Sequence, residues 1–490
     1  MSVTLWLKAD DRLRSNQRGS DPWIDQPDRR PDPLRDGFIS ALLSDGDSRI
    51  ATDSRTGLNK YLCPPLPAPD LVCASSCTAS PMSVQGFERA AEAFSRIAGA
   101  TSARQRADRQ RDLSDQIEAR LLRYFAATSL ARAWLCPSGT DALLTTTLLL
   151  AAERPNEALT VVLPAAAETG TGVPMAAIGR VFDGPDSGTP LAGCVGRTIE
   201  VPLRLADGSP CPEDRVNDAF AAAAAKGPDK ASDRTTSRVI VYLTHGSKTG
   251  LIAPTSPPEG VEVIVDACQG RIEPATVAAY LGRGWPVVVT GSKFFGGPAF
   301  SGAVLFPRAR RLQTYLPTHP GAHPAAPGAG LGTLLRWTAA LAEIDAFEPR
   351  AAAAADILAD RIAIIRQALA DNPALVPVEG LSAPSGRPNG EGWADLPSIF
   401  TFGVRDPADR GRLLSATELR PLHERLARGG ILLGQPVGLG RFGGLRIAMG
   451  ARDLLEGPQE PAKPPGIAKP LASPGLAGLF AALEAATRPH

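Results

Sequence analysis

A chain of 490 residues in which 52 lysines and arginines meet 51 aspartates and glutamates has room for more than one hydrophobic core and no charge excess to attract nucleic acid. No run approaches the roughly 18 apolar residues a membrane span needs, and the opening MSVTLWLKADDRLRSNQRGS lacks the basic-then-apolar pattern of a signal peptide. The expectation is a multi-domain cytoplasmic protein whose partner is a small molecule rather than nucleic acid or membrane.

Residues 1–85 are rich in Asp, Arg, Pro and Ser and include LCPPLPAPDL, an extended stretch rather than a helix because proline removes donors and fixes its own backbone angle. They read as an extension wrapped over the rest. FERAAEAFSRIAGA and LSDQIEARLLRYFAATSLA then place apolar residues at helical spacing with charges opposite, predicting two helices. Between about 130 and 310 short apolar runs alternate with Ala-rich stretches: 159–164, 179–182, 197–203, 238–244, 261–266, 286–291 and 302–306. Runs apolar throughout suit strands covered on both faces, so 86–333 reads as a three-layer α/β domain with a mostly parallel sheet. The Pro/Gly/His-rich stretch within 308–333 is too long for an ordinary connection and reads as an active-site loop. Residues 334–490 read as a smaller α+β domain: a helix pair over 334–370, the strand SIFTFGV, a helix in ATELRPLHERLARGG, the strand LRIAMG, a Pro-rich insert at 457–474 and a last helix.

The seven cysteines, Cys63, Cys73, Cys77, Cys136, Cys194, Cys211 and Cys268, are too sparse for a disulfide scaffold and read as thiols. Cys63, Cys73 and Cys77 could seed a metal site, but no Cys/His pair follows at zinc spacing, and no metal is expected.

Four polar turns stand at the carboxyl ends of predicted strands, where open α/β sheets bind ligands. In WLCPSGTDALL, Ser138, Gly139 and Thr140 precede a helix, where backbone N–H groups and the helix dipole favour an anion such as phosphate; the same residues also make an ordinary helix cap. In VEVIVDACQG, Asp266 ends an apolar strand, and a carboxylate there needs donors, either a protonated ring nitrogen or the next helix start. In VVVTGSKFFGGP, Lys293 stands at a strand mouth, as a turn lysine or as an amine able to form an imine with an aldehyde. In YLTHGSKTGL, His245 could stack on a ring, move a proton or serve the core. A phosphate cup, an acid for a pyridinium nitrogen and an imine-forming lysine are what pyridoxal 5'-phosphate asks of a protein.

In this order SGT (138–140), THGSKTG (244–250), DACQG (266–270) and TGSKFFGGP (290–298) resemble the fold type I pyridoxal-phosphate enzymes, in particular the class V aminotransferase and cysteine desulfurase group, over about residues 86–450. The resemblance implies that Ser138, Gly139 and Thr140 hold the phosphate with help from Ser292. It implies that Asp266 pairs with the ring nitrogen, that Gln269 bonds the phenolic oxygen, and that Lys293 makes the imine and moves protons. It also implies an arginine for the substrate carboxylate, Arg446 or Arg336, and a homodimer with a shared active site. Two features depart from the pattern. The turn after LTVVLP reads AAAETGTG and offers no ring-stacking His or aromatic, leaving His245 as the candidate stacker. No cysteine follows Cys268, so the thiol of a persulfide-forming desulfurase is missing. The expected activity is an aminotransferase for an amino-acid-like substrate, the alternatives being a β- or γ-eliminating lyase, including C–S cleavage, and a non-catalytic protein that binds a phosphorylated ligand.

Overall fold

The computed structural model describes residues 33–155, 157–192, 194–226, 236–310, 329–378, 392–455 and 473–487. Residues 1–32, most of the 308–333 loop and most of the 457–474 insert lie outside these. In chain order the elements begin with helix α1 (Pro33–Leu42), strand β1 (Val72–Ala74), α2 (Val84–Ala98), α3 (Ala103–Tyr124), β2 (Ala131–Cys136), α4 (Gly139–Glu153), β3 (Glu157–Pro164) and α5 (Val173–Ala177). There follow β4 (Gly196–Val201), α6 (Glu213–Ala225), β5 (Thr236–His245), β6 (Ile252–Ala253), β7 (Glu262–Ala267), α7 (Pro274–Gly282), β8 (Val287–Thr290) and β9 (Gly302–Pro307). The last are α8 (Leu331–Phe347), α9 (Ala354–Asp371), β10 (Leu375–Val378), β11 (Ile399–Val404), α10 (Leu419–Arg428), β12 (Ile431–Leu439), β13 (Phe442–Ala448) and α11 (Ser473–Thr487).

The expected three-layer domain is present. Its sheet runs β2-β9-β8-β7-β5-β3-β4, with β6 paired to β5. Strands β3, β4, β5, β7 and β8 are parallel, while β9 is antiparallel to both β8 and β2. The other runs form strands as anticipated, buried except for the half-exposed edge strand β4, but the run at 179–182 does not. Gly179 takes φ 72°, and a side chain there would bring its Cβ within 2.6 Å of Cys194 Sγ, so the backbone turns, leaving only an isolated bridge from Arg180 to Pro190.

Helix α2 is capped by Ser83, whose Oγ accepts from the Gly86 N–H at 2.9 Å, and buries Phe87, Ala90, Ala91, Phe94 and Ile97, the 3.6-residue stripe expected of its sequence. With α3, α7 and α8 it covers one face of the sheet, whose core includes Val265, Val287 and Val289. Helix α4 covers the other, against Ile240, Tyr242, Ile264 and Val288.

The second sheet, β1-β12-β13-β11-β10, takes an edge strand from the N-terminal segment, with Val72 opposite Ile431 in parallel register. Helix α1 is likewise built in, Phe38 meeting Phe87 edge-on at 5.4 Å. Arg336, 1 % exposed, pins this segment: Nη1 donates to Leu42 O and Ser44 O at 2.6 Å each, and Nε to Phe300 O at 2.6 Å. Burial pulls its pKa down to about 10, against the opposing charge of Asp45. Arg336→Met would take this donor from the Leu42, Ser44 and Phe300 carbonyls and is expected to lower unfolding stability by about 3–5 kcal/mol, read from urea denaturation followed by circular dichroism.

Candidate active site

Strand pairing fixes which side chains can meet. Thr244 lies opposite Asp266, and Asp266 opposite Val288. Side chains alternate along a strand, so Thr244 follows Ile240 and Tyr242 onto the α4 face, and Asp266 follows Ile264. Tyr242 OH lies 3.0 Å from Thr147 Oγ1 on α4. One Asp266 oxygen accepts from the Cys268 N–H at 3.1 Å, and the carboxylate is also bonded by the Cys268 thiol. Next to it, Thr244 Oγ1 is buried without a hydrogen-bond partner. Burial, and after it the charge of Asp266, raises the Cys268 thiol well above its usual range, which suits a packed thiol rather than a reactive one.

Gly139 opens α4 in contact with these turns, where an added Cβ would lie 2.6 Å from Cys268 Sγ and 3.0 Å from Thr290 Cγ2. Only glycine permits this approach of helix start to strand ends. Ser138 Oγ accepts from the Asp141 N–H at 3.2 Å and donates to its carboxylate at 2.6 Å, so part of the helix cap is closed from within. Thr140 and Ser292 are buried beside it. Arg49, from the N-terminal segment, reaches this corner paired with Asp47; its Nη2 is 3.4 Å from Ser138 Oγ, and its guanidinium lies 5.2 Å from the Phe300 ring centroid.

Lys293 follows β8 in a turn closed by the Gly296 N–H on Lys293 O at 2.9 Å and the Gly297 N–H on Gly291 O at 2.9 Å. The aromatic pair anchors that turn: Phe294 stacks on Trp393 at 4.4 Å and 11°, and its N–H donates to Gln269 O at 3.2 Å. Phe300 sits at φ 71°, a backbone region costly for a bulky residue, and is held by Arg336 on its carbonyl. Lys293 itself is half-buried, and its amine has no protein partner among the described residues.

His245, Gln269, Arg446 and Arg336 each have protein partners of their own. His245 is one residue beyond Thr244 and faces the opposite side of the sheet, its Nδ1 3.1 Å from Tyr280 OH on α7. Gln269 donates to Cys77 O at 3.2 Å and accepts from Arg271 at 2.9 Å, which ties it to the N-terminal segment. Arg446, 2 % exposed, gives Nη1 to Lys248 O at 2.8 Å, Nη2 to Thr78 Oγ1 at 3.0 Å and Gln435 O at 2.8 Å, and Nε to Gln435 O at 3.2 Å. Arg336 spends its donors on the N-terminal segment and the Phe300 carbonyl. Cys73 Sγ and Cys77 Sγ bond local hydroxyls, Cys63 Sγ the Pro64 carbonyl, and among the described residues no three His, Cys, Asp or Glu side chains converge as a cation site.

Sequence reasoning missed a buried network in the turns after β3 and β5. Glu168, in the AAAETGTG turn, accepts from Ser247 Oγ at 2.6 Å, Thr249 Oγ1 at 2.7 Å and Arg204 Nε at 2.6 Å. Lys248 lies against the same turn, its Nζ donating to Ala166 O at 2.9 Å. Its pKa is lowered to about 8, first by burial, then by the charges of Arg446 and Lys293, with Glu168 opposing. Glu168 and Arg204 are far in sequence from Ser247, Lys248 and Thr249, and no motif joins the three segments.

No protein-family model and no curated protein sequence matches the chain. Solved structures do. The structure of Oryza sativa TDC with PLP superposes at TM-score 0.54 and 13 % identity, covering 99 % of this chain and 97 % of that one. A NifS-like protein from Rickettsia africae gives TM-score 0.51 at 10 % identity, covering 85 % and 99 %. The cysteine desulfurase CsdA from Escherichia coli gives TM-score 0.50 at 15 % identity, covering 85 % and 94 %. The shared architecture is that of the fold type I pyridoxal-phosphate-dependent enzymes. Among the described residues no helix is long and apolar enough to cross a membrane.

Proposed function

We propose that the protein is a pyridoxal-phosphate-dependent enzyme acting on an amino acid or related amine, and that its reaction is transamination. The observation that carries this reading is the Lys293 amine, which has no protein partner among the described residues, together with the buried Asp266 carboxylate at the carboxyl ends of β8 and β7. With the unpartnered Thr244 hydroxyl beside them, these fit a ring bearing a protonated nitrogen and an aldehyde. Asp266 would hold the ring nitrogen. Ser138, Gly139 and Thr140 would receive the phosphate at the α4 N-terminus, with Ser292 beside them, and Gln269 retains one amide hydrogen for the phenolic oxygen.

When bound, the cofactor supplies an electron sink for the pair released as a bond at the substrate α-carbon breaks. Lys293 Nζ would hold the cofactor at its aldehyde and, once freed by the substrate amine, would take the α-carbon proton and return it. Asp266, on the buried face with Tyr242 and Cys268, would favour positive charge at the ring nitrogen and so support that electron flow. Transamination asks for no group beyond these. We place the protein in a homodimer on the resemblance alone, which a doubled mass in light scattering checks.

Purified protein supplied with pyridoxal phosphate is expected to show a visible absorption band that borohydride removes, leaving the cofactor's mass on the Lys293 peptide; a chain that stays colourless overturns the reading. Amino transfer dependent on a keto acid supports transamination, whereas release of ammonia or sulfide without one would assign a lyase. His245 has no catalytic part in this scheme. His245→Leu is expected to cost about 1–2 kcal/mol of stability through the lost Tyr280 bond, while the cofactor dissociation constant, read from fluorescence quenching, stays within about 3-fold of wild type.

A further inference from the structure

We propose that Lys248 is the specificity-determining residue that receives the substrate's carboxylate, so that the enzyme selects amino acids over the corresponding amines. This rests on the pyridoxal-phosphate reading above and adds a cation that reading does not use. Lys248 is held at both backbone ends: its N–H donates to Glu168 O at 2.8 Å, and its carbonyl accepts from Arg446 Nη1 at 2.8 Å. The side chain therefore leaves a rigid mount shared by the turn after β3, the turn after β5 and β13.

Its ammonium has three hydrogens, and one of them meets the neutral Ala166 carbonyl. The other two have no protein acceptor among the described residues. The neighbouring carboxylate, Glu168, is already filled by Ser247, Thr249 and Arg204. Lys248 is thus a half-buried cation beside a saturated carboxylate, an arrangement that a second anion would complete.

The mount borders the lysine turn. A Cβ on Gly246 would touch Gln269 Cβ at 3.2 Å, and Gln269 O accepts from the Phe294 N–H, next to Lys293. Arg446, implied by resemblance for the carboxylate, gives four donor contacts to Lys248 O, Gln435 O and Thr78 and keeps no two-pronged face for a ligand. It acts as a positioning residue that fixes Lys248.

Two probes isolate the carboxylate: N-phosphopyridoxyl-glycine and N-phosphopyridoxyl-methylamine, which differ by that group alone. Both are titrated into the full-length chain freed of cofactor, with intrinsic fluorescence as the readout. Wild type is expected to bind the glycine adduct about 10–100-fold more tightly, the usual worth of a charge-assisted hydrogen bond. K248M is expected to reduce that ratio to below about 3-fold while leaving the methylamine adduct's affinity unchanged. K248Q, which keeps a donor for Ala166 O, is expected to do the same and guards against a folding defect in K248M. A wild type that does not discriminate, or a neutral variant that still does, overturns the proposal. Failure of the function reading looks different: pyridoxal phosphate then leaves no visible band and neither adduct binds, which removes both proposals together.

Discussion

Lys293→Ala is expected to abolish the borohydride-sensitive visible band and to lower turnover by on the order of 10⁴-fold or more, because one residue supplies both the covalent tie and the proton carrier. Stability is expected to change little. Lys293 is half-buried, its side chain makes no bond to protein among the described residues, and the turn is held by backbone bonds at Gly296 and Gly297 and by Phe294 on Trp393. Thermal melting thus separates loss of chemistry from loss of fold. Lys293→Arg is the sharper control. It keeps the positive charge, but guanidinium stays protonated and is no nucleophile, so it should fail like alanine. If the arginine variant keeps the band, the imine is formed elsewhere, and Lys248, the other amine in this crevice, becomes the candidate.

Much of the major domain was legible because β3, β5, β7 and β8 each carry a run of consecutive apolar residues, as strands covered on both faces do. The same uniformity hid the site's sidedness. With both faces of the run apolar and polar residues adjacent at its end, nothing in YLTHGSK showed that Thr244 points toward Asp266 while His245 points toward Tyr280, and a shift of one residue reverses the face. Strand β12 was illegible for another reason: ILLGQPVGL carries Gly, Gln and Pro at its centre, and the structure accommodates them with an irregularity between Gly434 and Val437. The arginines misled by type. Arg336 and Arg446 look like ligands for a carboxylate, yet both are buried braces whose acceptors are main-chain oxygens or threonine hydroxyls contributed by distant segments, including the N-terminal one. Glu168, Arg204 and Lys248 are joined by chain folding alone, so their shared burial became visible only in three dimensions. Lys293 and Asp266 could be proposed from the sequence because each needs only its own strand end to be interpretable.

Asp266→Asn tests the other half of the proposed site, and turnover is expected to fall by about 10²–10⁴-fold. The substitution is nearly isosteric. The oxygen that accepts the Cys268 N–H at 3.1 Å can be kept, so the turn after β7 should hold its shape and melting should move little. What changes is the second position, where an oxygen able to accept a ring N–H becomes an amide donor or a weaker, neutral acceptor. Cofactor affinity should weaken less than turnover, since the phosphate and Lys293 still contribute to capture while the electron flow at the α-carbon loses its stabilising charge. Single-turnover kinetics beside a cofactor titration separate the two effects. Thr244→Val is the matched control on the same face: it removes a hydroxyl without touching charge, and its loss should stay within about 10-fold. Should Asp266→Asn turn over within about 3-fold of wild type, Asp266 is a strand-end cap for Cys268, and the electron flow must be supported by another group.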